Sequence, residues 1–258
     1  MNGTAFSFTH LSKIYMLESR MELLKVLRTP AFAIPSLLFP IMFYTFFGLI
    51  FNRDGMSGQA PTYLLATYGV FGVMGPSLFA FGVGVASERQ QGWLALKQVS
   101  PMPISAYLVA KVAGCMVFGS LILVQLFIIG ALFGDVEMSR FQWISTFLVS
   151  LFGSLPFCAL GLWLGLKFSS QAAPAVVNLI YLPMSFLSGL WIPIQMFPDI
   201  MQYFAFSLPA FHLAQLVLKV QGNDLGYHWL MHLGCLIFMS LVLFSIAAQA
   251  FKKVSQPN

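Results

Sequence analysis

Polar residues are so sparse in this 258-residue chain that each one able to do chemistry can be weighed singly. His228 and His232 stand one helical turn apart and Asp224 lies a turn earlier, a spacing that can hold a metal ion. Tyr227 and Trp229 sit among them, as aromatic residues do at a membrane–water boundary, and that is the plainer reading. Cys115, Cys158 and Cys235 all lie inside apolar runs. Their spacing fits no zinc motif and an odd number builds no disulfide framework, so they read as small core residues. No Gly is followed by Lys, which excludes a phosphate loop of the G-x-x-x-x-G-K-[ST] kind, and G-x-S-x-G and H-E-x-x-H are absent too. Nothing marks a nucleophile with a base in reach. No carboxylate lies deep in an apolar run, which argues against a proton or sodium relay. A transporter lacking these parts must draw its energy from elsewhere.

Two polar segments remain. In residues 8 to 29, Glu18, Glu22 and Lys25 form a narrow stripe at i, i+4, i+7, beside an apolar face of Ile14, Leu17, Met21 and Leu24. Basic residues flank that face, which suits a helix at the cytoplasmic membrane surface; a plain extension of the first span is the alternative. The second segment runs Ser87-Glu88-Arg89-Gln90-Gln91-Gly92-Trp93-Leu94-Ala95-Leu96-Lys97 and reaches Pro101 and Pro103. Ser87 and Gln90 have capping-box spacing for a short helix, and the prolines would end it. A stiff helix tied to a span at each end can carry a push from a soluble partner; an ordinary polar loop is the alternative.

The elements that position these segments follow from composition. Hydrophobic residues make up 59% of the chain and charged ones 8%, against roughly 25% charged in soluble domains. Too little charge is present to cover a soluble surface, so lipid must serve as solvent. Six runs are long enough to span as helices: 31 to 51, 62 to 86, 104 to 133, 141 to 166, 174 to 193 and 228 to 250. The expected fold is all-α, a polytopic bundle over residues 30 to 251 with an N-terminal interfacial helix over 1 to 29 and a tail at 252 to 258. The first thirty residues carry Lys13, Glu18, Arg20, Glu22, Lys25 and Arg28 before any long apolar run, so they are expected to be retained and not cleaved as a signal. With the N-terminus in the cytoplasm, ten basic residues fall inside and three outside, a positive-inside bias that also puts the C-terminus in the cytoplasm. The same scatter leaves no basic patch for nucleic acid. Lys111 is the exception among the ten, lying within a long apolar run, near enough to its end to snorkel. Residues 194 to 220, broken by Pro198 and Pro209, would invert the last span if they crossed; a re-entrant segment dipping from the outer face is expected instead. Gly161 and Gly165 form a G-x-x-x-G pair, expected to pack helices within the bundle, with a dimer face as the alternative.

The run Ser87-Glu88-Arg89-x-x-Gly92, with Leu94, Leu96, Pro101 and Lys111 beyond it, resembles the coupling segment of permease subunits of ABC transporters of the second exporter class. Pro183-Met184-Ser185-Phe186-Leu187-Ser188-Gly189, followed by Pro193, Pro198 and Ser207-Leu208-Pro209, is similar to that family's pattern around the fifth span. The resemblance covers nearly the whole chain. Trp93 and Lys97 depart from the family's Leu-rich continuation, which leaves the choice of partner open.

The resemblance implies a transport subunit that is not itself an enzyme and binds no cofactor directly. ATP and magnesium would sit on a separate soluble ATPase, and a second permease copy or paralogue would complete a dimer in a bacterial plasma membrane. It implies that 87 to 103 is the coupling loop, with Ser87, Glu88, Arg89, Gly92, Leu94, Lys97 and Pro101 meeting the ATPase or locking the loop to its neighbours. Residues 8 to 29 become the connecting helix, with Glu18, Glu22, Lys25 and Arg28. Ser188, Gly189, Pro193, Pro198 and Pro209 would shape an outer gate. The Phe- and Met-rich spans favour lipophilic or amphipathic cargo such as a drug, lipid or peptide; polysaccharide is the alternative cargo, and a passive channel or an intramembrane enzyme the alternative class.

Overall fold

The computed structural model describes residues 8–51, 60–100 and 102–255. All regular structure among them is helical: α1 (Phe8–Leu27), α2 (Pro30–Phe43), α3 (Ala60–Gln90), α4 (Trp93–Val99), α5 (Ile104–Phe133), α6 (Arg140–Phe152), α7 (Leu155–Lys167), α8 (Ala173–Leu187), α9 (Asp199–Ala205), α10 (Pro209–Gln221) and α11 (Trp229–Ser255). The protein is an all-α polytopic membrane protein. Among the described residues, five continuous stretches are long and apolar enough to cross: Pro30–Ile50, Ala60–Gln90, Ile104–Phe133, Arg140–Lys167 and Trp229–Lys253.

Five of the six expected spans are recovered, with informative differences. The first continues from α2 into a π-helical stretch, Tyr44–Ile50, where the wider coil seats the buried Tyr44 ring against Gly48. The fourth is α6 and α7 in series, interrupted at Gly153 and Ser154 and restarted with Pro156 in the first turn of α7. The fifth is shorter than expected. α8 has 15 residues, about 22 Å at 1.5 Å per residue, short of the roughly 30 Å hydrocarbon thickness. Gly189 ends it: its φ is +75° and a Cβ there would lie 2.9 Å from Ile194 Cβ, so only glycine permits the turn. Beyond it, α9 and α10 are bent by 92° to one another, so residues 199 to 221 form no straight span.

α3 is the axis of the bundle. Of its apolar window 72% is buried, against 22% for the first span, Pro30–Ile50, and 17% for α11, whose outward faces are left for lipid. The tightest packing joins α3 to α7. A Cβ at Gly161 would lie 2.8 Å from the Leu78 carbonyl oxygen, and one at Gly165 would lie 2.7 Å from those of Phe81 and Gly82. The G-x-x-x-G pair therefore brings two backbones together inside the bundle, as expected from the spacing. A core of Phe71, Met74, Leu78, Phe118, Ile122 and Phe157 surrounds α3. A second cluster, Phe81, Val85, Leu94, Tyr107, Leu166 and Phe251, closes the end of the bundle at which α1, α4 and the last turns of α11 gather.

Candidate functional site

At that end α1 runs beside the first turns of α5: Tyr15 Oη lies 2.7 Å from Ser105 Oγ, and further along Glu22 meets Lys111. The two helices and the α3–α4 corner enclose a network of charges. Lys111 is its centre. Its side chain is 0% exposed, and its Nζ donates to Glu22 Oε1 at 2.7 Å and to Glu88 Oε1 at 3.2 Å. Glu88 is also paired with Lys25, and its other oxygen accepts from Tyr107 Oη at 2.5 Å. Lys97 on α4 donates to both oxygens of Glu18 at 2.8 Å. Tyr107 and Lys111 stand one turn apart on α5, and both Lys97 and Lys111 place their ammonium groups 5.2 Å from the Tyr107 ring centroid. Gly84 and Gly114 border the network: a Cβ there would lie in ordinary contact, 3.6 Å from Lys111 Nζ and 3.4 Å from Glu22 Cγ.

Three lysines thus face three glutamates, one pair set across each of the contacts α1–α4, α1–α5 and α1–α3. The polar stripe Glu18, Glu22, Lys25 is on α1 at the expected spacing, but it faces the protein. Lys111 likewise does not snorkel to water, because two carboxylates from other helices reach it where it lies and satisfy its charge internally. Arg28, just beyond α1, is exposed and stands outside the network.

The 87–103 segment also differs from its expected start. Ser87 caps nothing: α3 continues through it to Gln90, Ser87 Oγ accepts from Gln91 Nε2, and Gln90 Oε1 binds Ser170 instead. The reversal comes at Gly92, whose φ of +78° breaks the helix and starts α4. Arg89 fixes this corner by donating to the Leu166 carbonyl and, at 2.8 Å, to the Phe168 carbonyl, both at the C-terminal end of α7 where carbonyls lack helical partners. Leu94 is buried against Phe81, Val85 and Tyr107, so α4 is pinned by Leu94 and Lys97 on its inner side. Trp93, Leu96 and Val99 are exposed on its outer side, Val99 at 84%. Pro101 lies outside the described residues.

At the opposite end the five expected gate residues occupy turns. Ser188 is buried and follows α8, and Gly189 reverses the chain. Pro193 precedes the 3₁₀ turn Ile194–Met196, Pro198 precedes α9, and Pro209 opens α10. His228 accepts from the Leu230 amide at 3.3 Å and stacks on Trp229. His232 instead meets His212 of α10, a residue the spacing of the sequence did not single out, with Nδ1 to Nδ1 at 3.0 Å. His212 Nε2 donates to the Phe206 carbonyl at 2.9 Å, so its Nδ1 is the acceptor and His232 Nδ1 the donor. This pair ties α10 to α11. No three His, Cys, Asp or Glu side chains gather as a metal site among the described residues.

Residues 56–248 match the family model of the ABC-2 family transporter protein. YvfS of Bacillus subtilis (strain 168), named as a transport permease, is 36% identical over 196 residues, 76% of this chain and 80% of its own length. The chain therefore belongs to the ABC-2 transporter family and is a permease of that kind.

Proposed function

We propose that the chain is the membrane subunit of an ABC exporter. It pairs with a second permease copy or paralogue, and a separate soluble ATPase docks at the end where α1 and α4 lie, the cytoplasmic side by the positive-inside count. The observation that carries this reading is the two-sided build of α4. Leu94 and Lys97 hold its inner side to the bundle, while Trp93, Leu96 and Val99 are left bare on its outer side. A large aromatic flanked by aliphatic residues on a rigid short helix suits a protein contact better than solvent.

The charge network supports a role in transmission. Displacement of α4 pulls on Glu18 through Lys97, and α1 is tied in turn to α5 by Lys111 and to α3 by Lys25. The connecting helix and three other helices must then move together. ATP-driven closure of the ATPases would bias the bundle between two arrangements of different cargo affinity. The apolar spans and the rarity of charge within them favour a lipophilic or amphipathic cargo, expelled across a bacterial plasma membrane.

The test is ATP-dependent movement of a lipophilic fluorescent cation in inside-out vesicles holding the chain and its co-expressed ATPase. Wild type should accumulate the dye only with ATP. A Trp93→Asp/Leu96→Asp variant should abolish accumulation while keeping the thermal stability of the wild type. Accumulation that persists in this variant would refute α4 as the docking helix.

A further inference from the structure

The two sides of α1 differ in a way the transmission role leaves unused. Both acids of the helix, Glu18 and Glu22, are turned into the protein and paired with Lys97 and Lys111. Its outer side carries Lys13, Met16, Leu17, Arg20, Met21 and Leu27, with Arg28 just beyond, all exposed. At 100° per residue these fall within about 140° of the helix circumference. Lys13, Arg20 and Arg28 form no ion pair among the described residues. A face of large apolar side chains with unneutralised cations and no anion is the complement of a surface with phosphate groups over hydrocarbon.

The position of the face selects that partner. α1 passes through Arg28 and Thr29 directly into α2, the first span, whose Ile34, Leu38, Phe39 and Met42 are bare toward lipid. Leu27 and Arg28 thus directly precede a lipid-facing helix in the chain, which holds this end of α1 at the membrane boundary. We propose that the outer side of α1 binds the headgroups of anionic phospholipid, with Lys13, Arg20 and Arg28 on the phosphates and Met16, Leu17 and Met21 in the acyl boundary. This holds whether or not the chain exports anything, since it rests on membrane placement alone. Because the inner side of the same helix is tied to α3, α4 and α5, the lipid would also bear on the α4 corner.

The experiment uses the full chain in neutral detergent micelles, titrated with phosphatidylglycerol or phosphatidylcholine, with bound lipid counted by native mass spectrometry. Wild type should retain phosphatidylglycerol in preference, and raised salt should weaken that retention. Lys13→Gln, Arg20→Gln and Arg28→Gln should each weaken it about fivefold, and together about a hundredfold. Lys252→Gln/Lys253→Gln, which also lowers net charge, should change it less than about twofold. Equal loss in this control would overturn the proposal, since net charge and not the α1 face would then be responsible. Unchanged binding in the triple variant would overturn it as well; if that variant loses a soluble partner instead, the face belongs to protein. Thermal unfolding without added lipid checks that the triple variant folds, and should it not, Arg20→Gln alone decides by its fivefold loss.

Discussion

Replacing Lys111 by methionine keeps the length and volume of a side chain that is 0% exposed and removes only its charge. What it leaves is costly. Glu22 and Glu88, 11% and 13% exposed, lose the cation between them; the one cation left to both is Lys25, itself 46% exposed and 3.8 Å from Glu22, and Glu88 keeps the Tyr107 hydroxyl besides. Breaking a buried ion pair from one side costs about 3–5 kcal/mol, because a charge stays buried without its partner. For a chain of this size each kcal/mol lowers the melting temperature by about 2–4 °C. Lys111→Met should therefore unfold roughly 6–20 °C below wild type, read by thermal unfolding in detergent with a fluorescent thiol or tryptophan signal. Glu22→Gln in the same chain should restore part of the loss, leaving the double variant about 1 kcal/mol or more better than the sum of the two. A Lys111→Met variant melting within about 2 °C of wild type, or strict additivity with Glu22→Gln, would refute the network as a structural lock.

Other substitutions separate the remaining contacts. Arg89→Ala removes the donors to the Leu166 and Phe168 carbonyls; amide exchange at Ala86–Gly92 and Leu164–Phe168 should rise, with a loss of about 1.5–3 kcal/mol for each charged hydrogen bond. Gly165→Val forces a Cβ to 2.7 Å from two carbonyl oxygens of α3, an overpacking cost of about 1–3 kcal/mol or more, so the folded yield in gel filtration should drop sharply. Gly189→Ala places a side chain at φ +75° against Ile194 and should cost more than about 1 kcal/mol in thermal unfolding.

The spans were legible because lipid leaves a chain few options: an apolar run of sufficient length must be a helix, and only its ends are free. The interior breaks were not. The S-x-x-Q pattern occurs at Ser87 and at Ser139, and only the second forms a capping box. Ahead of Ser139, α5 has already ended at Gly134, and Asp135 has a φ of +47°, so a new helix must start. Ahead of Ser87 nothing interrupts α3, and the break waits for Gly92. The stripe on α1 was readable from its spacing, yet its direction was not. Its partners Lys97 and Lys111 lie about eighty to ninety residues away, and only the packing of α1 on α5 brings them within 2.8 Å and 2.7 Å. His212 escaped notice for a similar reason: its partner is on another helix, 20 residues on.

We propose that the outer side of α4 receives a soluble ATPase and that its inner side relays the movement, and capture of the tagged full chain from its native membranes, with bound proteins identified by mass spectrometry, decides between this and its alternatives. Wild type should bring down a soluble protein with a phosphate-loop motif. Trp93→Asp/Leu96→Asp should lose it while folding normally, and Glu88→Ala/Arg89→Ala should hold it more weakly. Capture of no such ATPase by wild type across several mild detergents, or equal capture by the α4 variant, would contradict the account.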